Sequence, residues 1–176
     1  MAAGVAFAGC LVAAAWWGRA TADRPRVPPA QRKPHSQQTQ WPPSAGALAL
    51  GLGLGVLLLL PGAWLALHGY PTEGARAGVL TFTAWAPAIT FVASSEEVLL
   101  RGVLQPRLAR THGDLTAILA VAAVFALMHI PLYGAVALPL DLGTGILIGV
   151  VRLRTGSVAS CALAHAIADL GEWWVA

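Results

Sequence analysis

The sequence predicts an all-α fold, a polytopic transmembrane helical bundle of about six spans. Hydrophobic residues make up 57% of the 176-residue chain and charged residues only 11%, against about 25% charge in an average soluble domain. The apolar stretches are separated by short turns rich in Gly, Pro and Arg. Several ionisable residues nevertheless stand inside those stretches: Glu96, Glu97 and Arg101 in TFVASSEEVLLRGVL, His129 after AILAVAAVFALM, and His165 and Asp169 in SVASCALAHAIADL. Charge at bilayer depth costs at least about 2.5–3.5 kcal/mol on insertion scales, so these residues are functional candidates.

The elements follow in order. Ala2–Gly18 is short for a span and lacks a basic leader. Ala20-Thr21-Ala22 loosely resembles a signal-peptide cleavage site, yet nothing soluble follows that would need export, so residues 1–18 read as an uncleaved transmembrane anchor. Residues 19–43 form a basic, Pro- and Gln-rich cytoplasmic linker. Residues 44–176 form the membrane-embedded domain. Within it Ser44–Tyr70 is long enough to span, and its Gly51-Leu52-Gly53-Leu54-Gly55 run offers small residues for close helix approach. Ala77–Arg110 reads as one long helix, and Asp114–Ile130, Leu132–Val151 and Ser157–Val175 complete the set. Cys10 and Cys161 lie in apolar segments and read as buried thiols; Trp16, Trp17, Trp173 and Trp174 end segments, as interfacial belts do. His35, His68 and His112 read as solvated.

The cations orient the spans. With the linker cytoplasmic, Arg19, Arg24, Arg26, Arg32 and Lys33 are inside, and alternation puts Arg107, Arg110, Arg152 and Arg154 on the same side; Arg76 falls outside. The net charge of +3 therefore reflects topology, and nucleic acid is not an expected partner.

Depth then turns scattered polar residues into a site. Thr111-His112-Gly113-Asp114 closes a helical hairpin, with Gly113 and Asp114 as turn and N-cap. Glu96 and His129 lie 16 and 17 residues from His112, roughly 25 Å of helix on either side. His165 and Asp169 lie 9 and 13 residues past Gly156, within about two turns of the same level. Glu97 with Arg101, Phe125 with His129, and His165 with Asp169 are i,i+4 pairs that share a face. Arg101 neutralises Glu97, which leaves Glu96, about 100° away, free for chemistry.

EEVLLRG (Glu96–Gly102), FALMH (Phe125–His129) and HAIAD (His165–Asp169) match, in order, the E-E-x-x-x-R, F-x-x-x-H and H-x-x-x-[ND] motifs. On these the chain resembles the CPBP family of intramembrane proteases, which includes the Ras-converting CAAX endopeptidases and bacteriocin-processing proteins. The resemblance covers about Trp85 to Gly171, and Arg152–Ser157 looks like the family as well; Asp169, where many members have Asn, is the departure.

The resemblance implies an endopeptidase in which Glu96, assisted by His129, activates water, while His165 and Asp169 polarise the scissile carbonyl and stabilise the oxyanion. Glu97, Arg101 and Phe125 would support the site. No cofactor is expected, although Glu96, His129 and His165 could in principle ligate a catalytic zinc; H-E-x-x-H is absent. The expected partners are the bilayer and a membrane protein or a lipidated or hydrophobic peptide, cut near the cytoplasmic half of a bacterial inner membrane. The alternatives from other classes are a non-catalytic immunity or scaffold protein and an ion or proton carrier.

Overall fold

Apolar stretches in a bilayer must satisfy their own backbone polar groups, and helix does so within each segment. The computed structural model describes residues 40–69 and 81–175, which form helices and short turns with no strand among them. The anchor at Ala2–Gly18, most of the linker, Arg76 and Cys10 lie outside the described residues.

Helix α1 (Ala45–Leu67) begins at Ser44, whose Oγ accepts the Ala47 N–H at 3.1 Å. A descending rod follows: α2 (Phe82–Glu97), a π-helical segment (Val98–Leu104) and α3 (Gln105–His112). Gly113, at φ 82°, closes α3 and opens α4 (Asp114–Tyr133) without a side-chain cap, so glycine conformation makes the turn and Asp114 is simply the first helical residue. Gly134, at φ 78°, then leads through a 3₁₀ turn (Ala135–Ala137) into α5 (Leu138–Thr155). The fourth stretch therefore begins later than Leu132: Pro131 is absorbed into the last turn of α4, and the chain reverses where glycine permits positive φ. Gly156 makes the next reversal, and α6 (Val158–Val175) ends the description.

Small residues set how these helices pack. A Cβ at Gly51 would overlap the Ser160 carbonyl, and one at Gly55 would come within 2.9 Å of the Ala164 carbonyl, so α1 and α6 run parallel in close contact. Gly53, between them, faces open space. Gly145 and Gly149 press α5 antiparallel onto Ala122 and Ile118 of α4, with Cβ positions 2.8 and 3.1 Å from them. Aromatic rings tie the start of α2 to the end of α6: Phe82 lies 5.6 Å from both Trp173 and Trp174, and Trp85 lies 5.1 Å from Trp173. Two stretches, Asp114–Tyr133 and Ala135–Thr155, are long and apolar enough to cross a membrane by length and composition.

The rod is not the plain α-helix that its sequence predicts. At the π segment the Gln105 N–H bonds the carbonyl of Leu100, five residues back. Side chains crossing to α5 accompany this widening. The Arg101 carbonyl accepts from Arg152 Nε at 3.0 Å, Arg101 Nη2 donates to the Gly145 carbonyl at 3.2 Å, and Gln105 Nε2 donates to the Gly149 carbonyl at 3.0 Å.

Candidate active site

Phe125 stands at the centre of the polar cluster. Its ring lies 4.4 Å from the His129 imidazole and 5.3 Å, edge-on, from that of His165, with the Arg101 guanidinium 5.0 Å above it. A single apolar side chain thus spaces the two imidazoles and covers the cation, and residues from the π segment, α4 and α6 do meet at one level.

Glu97 braces the cluster. It is fully buried, as is Arg101. Its Oε1 accepts from Arg101 Nη1 at 2.9 Å and from His165 Nδ1 at 3.0 Å. His165 Nε2 then faces Asp169 Oδ1 at 3.6 Å, so this imidazole has a carboxylate at each nitrogen. The sequence pairs Glu97 with Arg101 alone; its link to the last helix is visible only in three dimensions. His129 Nδ1 donates to the Phe125 carbonyl at 2.8 Å, which fixes that ring and leaves Nε2 for other work. Glu96 is buried beside this assembly, within electrostatic range of His165, and makes no hydrogen bond or ion pair among the described residues.

A cavity of about 70 Å³ opens beside the imidazoles. Its wall includes His129, His165, Asp169, Phe125 and two acids the sequence reading passed over, Asp141 and Glu172. Asp141 stands in the first turn of α5 with a buried Oδ2 that has no hydrogen-bond partner among the described residues, in electrostatic range of both His129 and His165. The signal for it was present: it is an ionisable residue in the apolar run PLYGAVALPLDLGTG. The space is polar enough and large enough to admit water.

Compared with known families, residues 78–171 match the model described as type II CAAX prenyl endopeptidase Rce1-like, just over half of the chain. The chain belongs to this family. The Rce1-like family is one of membrane-integral proteases, as the resemblance implies, and the matched stretch contains every motif residue from Glu96 to Asp169. No curated protein and no solved structure matches the chain.

The same geometry bears on zinc. Both nitrogens of His165 face carboxylates, Nδ1 of His129 is committed to a backbone carbonyl, and among the described residues no three His, Cys, Asp or Glu side chains stand as a metal-binding group. The hydrogen bond at His129 Nδ1 leaves its Nε2 available to hold water or to ligate a metal, and as the side chains stand Glu96, His129 and His165 are not gathered into a metal-binding group.

Proposed function

We propose that this Rce1-like chain is a multi-pass intramembrane endopeptidase that hydrolyses a peptide bond by glutamate- and histidine-activated water. Glu96 is within electrostatic range of His165 but is not part of the cavity wall as it stands; water entering from the cavity would add to the scissile carbonyl carbon as its proton passes to the Glu96 carboxylate turned toward it, with His129 Nε2 holding the water in line. The oxyanion that forms would be met by His165, whose orientation Asp169 maintains. Cleavage of the C–N bond would then take the proton from Glu96 to the leaving amine.

One observation carries the reading: the two adjacent glutamates have different surroundings. Glu97 is fixed between Arg101 and His165, whereas Glu96 is buried with no such commitment among the described residues. A scaffold or an immunity protein would not need that difference. Multi-pass insertion in a bacterial inner membrane belongs to the same proposal.

The test is comparative peptidomics of membranes carrying the wild-type chain or Glu96→Gln. Peptides that are lost or gained with the wild type alone identify the cleavage. Identical peptidomes at equal protein levels would end the protease reading.

A further inference from the structure

The cavity and the arginines lie at opposite ends of the bundle. One end holds the turn after α3, with Arg107 and Arg110, and the turn after α5, with Arg152 and Arg154. Gln40, where the described residues begin, is at this same end, because its N–H bonds the Gly156 carbonyl at 2.8 Å, and the sequence before it carries five cations. The cavity is lined from the other direction, by the end of α4 (His129, Tyr133), the following turn (Ala137), the first turns of α5 (Asp141) and the second half of α6 (Asp169, Glu172).

His129, Asp141 and Asp169 lie five, three and six residues from Gly134, Leu138 and Val175 respectively. At 1.5 Å per residue that is about 5–9 Å from the end of the bundle. Glu96 is about 24 Å of helix from the turn at His112. Among the described residues this end carries no Lys or Arg, and the sequence assigns it only Arg76. Cytoplasmic loops collect Lys and Arg. The arginine-bearing end is thus the cytoplasmic one, and the cavity lies away from the cytoplasmic half in which the sequence reading set the cleavage.

We propose that this site is entered from the extracytoplasmic face, and that its substrates are exported peptides still anchored in the membrane, cut a few ångströms below the outer surface. A carboxy-terminal tail left in the cytoplasm would have to cross most of the bilayer to reach His129. Of the substrate classes open to the family, this favours leader or sorting-signal segments after translocation. The inference rests on the hydrolytic reading for its chemistry but not for its sidedness.

Two variants of the full chain, each with Cys10→Ser so that the buried Cys161 is the one native thiol left, test it in cells. Val136 is half exposed in the turn at the cavity end, and Arg154 is exposed at the other. A membrane-impermeant maleimide should label Val136→Cys on intact cells and Arg154→Cys only after permeabilisation. The reverse pattern overturns the proposal. The cleavage sites found by comparing wild type with Glu96→Gln should map to translocated segments, and sites confined to cytoplasmic tails would also overturn it. Loss of all cleavage with the labelling pattern intact would sink hydrolysis and leave the orientation standing.

Discussion

Glu97 Oε1 and His165 Nδ1 meet at 3.0 Å across 68 residues of chain, inside a bundle where both side chains are buried. The carboxylate that neutralises Arg101 therefore also aims the imidazole. Breaking a buried charged pair costs about 3–5 kcal/mol. Glu97→Gln should lower protein abundance and the Tm in detergent, and the fraction that folds should turn over slowly. Glu96→Gln should accumulate normally yet lose about 10²–10⁴ in rate. Immunoblots, thermal melts and turnover of both variants check this, and a Glu97→Gln enzyme with wild-type level and rate would remove the brace from the account.

Asp169 sits 3.6 Å from His165 Nε2. If it serves by hydrogen-bonding capacity, Asn replaces it; if its charge is needed, Asn fails. We expect Asp169→Asn to retain most activity and Asp169→Ala to lose most of it, because the bilayer penalises a net charge more than a polar group. The pH–rate profiles of the three proteins separate the cases: an inactive Asn variant would mean that charge is what matters.

Asp141 keeps a buried carboxylate oxygen without a hydrogen-bond partner among the described residues. Such a group costs about 1–3 kcal/mol, a cost that function explains more readily than folding. Asp141→Leu should therefore raise the Tm in detergent while lowering kcat/KM. A variant that is both more stable and fully active would show that the cavity does not use this acid.

The glycines of α1 differ sharply over two residues. Gly51→Ala has no room against the Ser160 carbonyl, whereas Gly53→Ala enters open space and gains helix propensity. We expect Gly51→Ala to destabilise by about 1–3 kcal/mol, as overpacking does, and Gly53→Ala to be neutral or to stabilise by up to about 1 kcal/mol. Detergent unfolding curves decide the order; equal effects would contradict the parallel α1–α6 contact.

The all-helical class was legible because apolar runs are a linear feature, whereas of the six expected spans two stretches among the described residues are long and apolar enough to cross a membrane. Axial rise alone placed Glu96, His129, His165 and Asp169 within about two turns of one level, and Phe125 entered only as the i,i+4 partner of His129. Rotation was less accessible. An i,i+4 partner seemed to account for the charge of Glu97 within one helix, and nothing in the spacing points it at His165. The π segment after Glu97 was hidden for a related reason: the widening goes with donors from Arg152 and acceptors at Gly145 and Gly149 on another helix. Pro131 suggested an earlier break than the chain makes, because a proline in a last helical turn is tolerated when a glycine follows to reverse direction.

Helix α1 contains no motif residue and lies before the matched stretch, yet Gly51 and Gly55 seat it against the helix that carries His165, and Leu58 forms part of the cavity wall. The recognisable half of this protease is thus not self-sufficient. What α1 must preserve through divergence is two missing side chains on one stripe and bulk a turn further on, which many sequences can meet. A piece so lightly specified can drift beyond recognition, and a gene fragment trimmed to the motifs would discard a wall of the cavity beside the two imidazoles.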